Sequence, residues 1–142
     1  MKTMKSYVAA AVIALTALLS SPAAWATRDQ TLAQLLNSTN HQGSFVYYNT
    51  LGVVYNNSTY KSYAYTNAYN TYVDLIYAWY YAPIGSGMEA YAKTAYQLQY
   101  YAYLYSVYSY VYGSSYATTA SLYADYAMWY AGLSQYYAAY NA

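Results

Sequence analysis

Cysteine is absent from this 142-residue chain, histidine occurs once, proline twice, and only 6% of the residues are charged. Each shortage removes a class of chemistry. Without cysteine there is no disulfide framework, no redox thiol, no cysteine-ligated zinc or iron–sulfur centre and no Cys-x-x-Cys-His for covalent haem. The one histidine, His41, stands in a Gly/Asn/Gln-rich stretch and reads as a solvated loop residue, because no second histidine supports a metal site. The carboxylates Asp74, Glu89 and Asp125 are far apart in sequence, so nothing marks a facing acid/base pair. No phosphate loop, dinucleotide fingerprint or calcium loop is present. The expectation is a protein without a cofactor that is not an enzyme.

The scarce charge also limits the partners. Lys2 and Lys5 sit ahead of an apolar run, leaving Arg28, Lys61 and Lys93 against Asp29, Asp74, Glu89 and Asp125 beyond it. That remainder is slightly acidic and holds no basic patch. Nucleic acid is therefore not an expected partner, and an anionic membrane surface exerts no electrostatic pull.

The first 26 residues have the layout of a bacterial-type export signal. Lys2 and Lys5 form a positive start, Val8 to Leu19 is apolar, Ser20-Ser21-Pro22 breaks it, and Ala24-Trp25-Ala26 offers small residues at the two positions a signal peptidase reads. The rival, an uncleaved anchor, is disfavoured because the apolar run is far shorter than the about 20 residues of a membrane span. The expected mature chain begins near Thr27, has the size of one domain, carries no transmembrane span and is periplasmic or extracellular.

Two zones follow. Residues 27–57 are mixed and polar. Residues 58–142 are tyrosine, alanine and small polar residues. Tyrosine occurs 28 times in the whole chain, and only Tyr7 lies in the export segment. Pro83-Ile84-Gly85-Ser86-Gly87 and Gly113-Ser114-Ser115 divide the second zone into three segments. The fold class expected is all-α, an antiparallel bundle of three long Tyr/Ala-rich helices near 58–82, 87–112 and 115–140. Asn57 or Ser58 can cap the first, and Ser86-Gly87-Met88-Glu89 has the spacing of a capping box for the second. Gly113 suits the end of the second, and Ser114 or Ser115 can cap the third.

Periodicity supports helices. Tyr116, Tyr123, Tyr130 and Tyr137 recur every seven residues, with Thr119, Tyr126, Leu133 and Tyr140 offset by three, as in the a and d positions of a heptad. The middle segment carries Tyr91, Leu98, Tyr105 and Tyr112 on one side and Tyr96, Tyr103 and Tyr110 on another, which suits a helix with a neighbour on each side. In the first segment Tyr65, Tyr72 and Trp79, with Tyr69 and Ile76, make one stripe. A rival pattern is the period-two alternation of Tyr101 to Tyr105 and Tyr108 to Tyr112, which would suit a Tyr-rich β or amyloid-like stack. Unbroken segments of about 25 residues are long for strands, which favours helix. In the N-terminal zone Thr31 to Leu36 reads as a short helix. Phe45 to Tyr55 reads as a small hairpin or, equally, a short helix recruited by the bundle.

Tyrosines at heptad spacing can fill helix seams, but a three-helix interior is too small for all of them, so the remainder must lie on the surface. Tyrosine suits contact, since it brings large area at low entropy cost. With few charges to keep molecules apart, the expected function is structural: self-association, or binding of another envelope or extracellular component, through exposed rings. The candidate interaction residues are Tyr96, Tyr100, Tyr103, Tyr110, Tyr116, Tyr123, Tyr130 and Tyr137. Pairing the first two long helices about Gly85 also suggests a structural ion pair between Asp74 and Lys93. Two alternatives are tyrosine-based redox or dityrosine cross-linking, and a module that stacks carbohydrate or flat hydrophobic ligands on its rings.

Overall fold

The structure is a computed structural model and describes residues 22–140. The described residues form four helices: α1 (Pro22–Val54), α2 (Ser58–Tyr81), α3 (Gly87–Tyr112) and α4 (Ala117–Tyr140), with a 3₁₀ turn over Ser114–Tyr116. No strand occurs among the described residues, so the β-rich alternative has no counterpart. Each helix packs on its sequence neighbour, and α4 returns to close the bundle against α1. Neighbours are antiparallel, as ring pairs show: Tyr91 of α3 meets Tyr137 of α4, whereas Tyr105 meets Tyr123. Most of the export segment, residues 1–21, lies outside the described residues.

The three long helices fall where the punctuation put them, and their ends have local causes. Asn57 caps α2, its side-chain oxygen accepting the Tyr60 N–H at 3.0 Å. Ser86 Oγ accepts the Glu89 N–H at 3.1 Å, and Glu89 reaches back to the Gly85 N–H at 3.2 Å. The capping box thus clamps the start of α3. Gly113 ends α3 at φ 130°, a conformation that side chains with a Cβ rarely adopt. The serines after it differ from expectation. No side chain caps the 3₁₀ turn, and α4 starts at Ala117.

The N-terminal zone corrects the sequence reading. It is neither a short helix plus hairpin nor a loop around His41, but one 33-residue helix. Its buried face is Thr31, Leu35, Ser38, Gln42, Phe45, Asn49 and Gly52, alternating steps of four and three. Only two of those are large and apolar, so the period is invisible to a hydrophobicity pattern. The β-branched and aromatic run after Phe45 yields to tertiary packing. Gly52 is required by closeness, because a Cβ there would lie 2.8 Å from Cγ of Lys61 on α2.

The same alternation runs through the other helices, and its residue is alanine. On α4 the buried positions are Ala117, Ala120, Ala124, Ala127, Ala131, Ser134 and Ala138. On α3 they are Met88, Ala92, Ala95, Gln99, Ala102, Ser106 and Ser109. The heptad period read from the tyrosines is therefore present, but its phase differs by one residue: Tyr116, Tyr123, Tyr130 and Tyr137 each stand immediately before a seam alanine. Size and polarity explain the shift. Alanine lets helix axes approach toward the close end of the usual 8–10 Å. A seam tyrosine would force them apart and bury a hydroxyl, at a cost of about 1–3 kcal/mol if unpaired. One step around the helix, the ring covers the seam and the hydroxyl can reach water.

This arrangement predicts opposite tolerances at adjacent positions. Ala124→Leu overpacks the seam and should cost about 1–3 kcal/mol in urea unfolding. Tyr123→Phe, one residue earlier, keeps the half-buried ring and removes only its hydroxyl, and should change stability by less than about 0.5 kcal/mol.

Candidate functional site: tyrosine belts around a buried amide pair

Of the 27 tyrosines that follow Tyr7, none is buried; thirteen are exposed and fourteen half-buried. The two aromatic sides of α3 face two different neighbours. Toward α2, Tyr96 packs on Trp79 at 5.5 Å between ring centroids, Tyr103 on Tyr69 at 5.4 Å and Tyr110 on Tyr65 at 5.4 Å. Toward α4, Tyr91 stacks on Tyr137 at 5.4 Å, and Tyr105 lies parallel to Tyr123, 3° between planes, at 5.7 Å. Tyr100 and Tyr101 join these belts across the outer side of α3. Tyr72 meets Tyr100 at 5.8 Å, Tyr100 meets Tyr101 at 5.6 Å, and Tyr101 meets Tyr123 at 5.3 Å. Rings thus touch in an unbroken series from Trp79 to Tyr112.

The eight tyrosines singled out in the sequence divide between two environments. Tyr100, Tyr110 and Tyr116 are exposed. Tyr96, Tyr103, Tyr123, Tyr130 and Tyr137 are half-buried in the grooves between helices, stacked on partners within the same molecule. Tyr137 sits so close over the start of α3 that a Cβ on Gly87 would lie 2.9 Å from its ring. An open groove of about 510 Å³ lies beside Tyr72, Tyr96, Gln97, Tyr100 and Tyr101. Burial pushes the Tyr72 phenol above the ordinary range, and the nearby Tyr100 and Tyr69 phenols add to it. Tyr96 is raised in the same way, by burial first and then by Tyr72.

Asp74 finds its partner on α1 rather than on α3. Its carboxylate meets His41 Nδ1 at 2.5 Å, and not Lys93, which is exposed. The cause is α1 itself, whose length brings His41 level with Asp74. Burial holds the Asp74 carboxyl above its usual range, and the hydrogen bond and charge of His41 pull it partly back. Lys61 is buried against α1, with Nζ donating to Asn56 Oδ1 at 3.1 Å.

The polar centre of the bundle is Gln42 with Gln99, both buried. Gln42 Nε2 donates to Gln99 Oε1 at 2.6 Å and to the Ala124 carbonyl at 3.2 Å. Gln99 Nε2 donates to Gln42 Oε1 at 3.3 Å and to the Ala68 carbonyl at 3.0 Å. One amide pair therefore bonds to all four helices and uses all four of its N–H donors. Asn49 makes a second cross-link, donating to the Ala117 carbonyl at 3.1 Å and to Ser121 Oγ at 2.8 Å. Sequence reasoning passed over these residues. Gln99 carries a signal, since it interrupts a series of small residues in phase with it between Ala95 and Ala102, whereas Gln42 and Asn49 flank Phe45 at the same spacing and are recognised only once α1 is seen as one helix.

Among the described residues no three metal-ligating side chains come together, and no helix is long and apolar enough to cross a membrane. Compared with known proteins, the chain matches no family model, no curated protein and no solved structure. The chemistry available is that of phenol rings, arranged in belts and open to solvent along much of their length.

Removing half of the amide pair should be worse than removing both halves. Gln99→Leu leaves the Gln42 amide buried without its partner and should cost about 2–3 kcal/mol. Adding Gln42→Leu should recover part of that loss, so a double-mutant cycle in urea should give a coupling of at least about 1 kcal/mol.

Proposed function

We propose that this is an exported, non-catalytic structural or interaction protein. It self-associates, or binds another envelope or extracellular component, through exposed tyrosine faces. The observation that carries this reading is that thirteen of the 27 tyrosines are exposed and none is buried. A folded monomer gains little from keeping so many rings at its surface, whereas large exposed aromatic areas mark interaction sites in other proteins. Rings of two side-chain torsions lose little entropy on contact. The sparse charge supplies almost no repulsion between copies. Multi-angle light scattering of the mature protein should show mass rising with concentration over the micromolar to millimolar range. A monodisperse monomer at the upper end contradicts the reading.

The unbroken ring series favours one second reading, oxidative cross-linking. Here each phenol gives up one electron and one proton, two phenoxyl radicals join by an ortho carbon–carbon bond, and hydrogen peroxide takes up both electrons and both protons to form two waters. With a peroxidase and limiting peroxide, this reading expects the blue fluorescence of dityrosine and covalent oligomers on denaturing gels. Oxidation that yields neither product contradicts it.

A further inference from the structure

The outer side of α4 carries a second heptad, directly opposite its alanine seam. Leu122, Tyr126, Trp129, Leu133, Tyr136 and Tyr140 follow in steps of four, three, four, three and four. Apart from the half-buried Leu133, these side chains are between 50% and 71% exposed. Steps of that kind are the seam pattern of paired helices, yet no helix among the described residues covers them. We infer that this stripe is the interface with a second copy of the chain, packed α4 against α4 in antiparallel register about a two-fold axis. The inference rests on the self-association reading and names the surface that performs it.

Three features argue for that occupant and that direction. The first is area. Aromatic side chains offer about 150–250 Å² each, so the exposed parts of this stripe amount to roughly 600 Å² per copy. A pair would bury about 1,200 Å², the lower bound of stable interfaces.

The second is charge. Asp125 is the only charged residue on α4 and is exposed beside the stripe. With the two-fold at residue 131, Leu122 opposes Tyr140 of the second copy, Tyr126 opposes Tyr136, and Trp129 opposes Leu133. The two Asp125 carboxylates then stand about 18 Å apart along the helices, at 1.5 Å per residue. That exceeds a Debye length of about 8 Å at physiological salt. Parallel packing would set both carboxylates at one level.

The third is Gly132. It is the only glycine in the interior of α2, α3 or α4. A glycine there weakens a helix by about 1 kcal/mol relative to alanine, and a Cβ on it would meet nothing within 4 Å in this molecule. Nothing among the described residues requires it. In the antiparallel pair it lies beside the two-fold on the flank of the stripe, where the missing Cβ leaves room for the Trp129 ring of the second copy, which opposes the adjacent Leu133.

Two sets of variants test the interface and its direction. Trp129→Glu, made alone and combined with Leu133→Glu, should weaken dimerisation in sedimentation equilibrium at least 30-fold. Tyr55→Glu, an exposed ring at the end of α1, should leave it within twofold. Because the chain has no cysteine, single cysteines report direction. Gly132→Cys should be joined into a covalent dimer by a short thiol-specific cross-linker, and Leu122→Cys, which faces Tyr140 of the other copy, should not. If the unsubstituted protein is a monomer, both the self-association reading and this interface fall. If it associates but Trp129→Glu changes nothing, this interface alone falls. If Leu122→Cys links as readily as Gly132→Cys, the antiparallel register is wrong.

Discussion

The fold depends on seams of small residues, chiefly alanine on α2, α3 and α4. Four helices that meet through residues as small as Ala68, Ala95, Ala124 and Ala131 can lie close together, but the interior they enclose holds few large groups. Phe45, Leu35 and Leu75 are the largest apolar side chains fully buried there. A chain that invests so heavily in tyrosine then has one place to put it: beside the seam, leaning over it, with the hydroxyl outward. The rings shield apolar area while none is fully buried, so the interior does not have to satisfy tyrosine hydroxyls.

A seam of near-identical small residues has a weakness, because sliding by one heptad changes little. The buried amides answer it. Gln42 and Gln99 bond to each other and to carbonyls of the remaining two helices, and Asn49 ties α1 to the start of α4. Slipping one helix would break several of these bonds at once inside a low-dielectric interior. Apolar contact brings the helices together, and these few polar groups select one alignment. The ring belts then add contacts between helices at positions that the seam dictates.

Local rules made much of this legible. Pro83, Gly85 and Gly113 marked the breaks, and the Ser86–Glu89 box marked a start, so the bounds of α2 and α3 followed from residues whose backbone chemistry is unambiguous. The phase of the heptads was not legible by hydrophobicity, because that measure favours tyrosine over alanine for the interior and ignores ring size. α1 was hidden for a related reason: Thr31, Ser38, Gln42, Asn49 and Gly52 look like a polar linker unless their spacing is compared with the alanine series. Missing α1 meant missing the partner of Asp74, since His41 was then a loop residue. Of the candidate tyrosines, Tyr100, Tyr110 and Tyr116 lie at the surface, whereas Tyr123, Tyr130 and Tyr137 turned inward to α3. Part of the outer stripe of α4 was visible as Tyr126, Leu133 and Tyr140, and Trp129 completes it only when the helix is seen in place.

The account stands on the rings lying outside and the small residues inside. Hydroxyl-radical footprinting in dilute solution, comparing native with guanidinium-unfolded protein, tests that placement residue by residue. Tyr112, Tyr126, Trp129 and Tyr140 should react at close to their unfolded rates, with Phe45 and Leu75 protected at least tenfold. Protection of those four rings in a monomer, alongside a reactive Phe45 and Leu75, would contradict it.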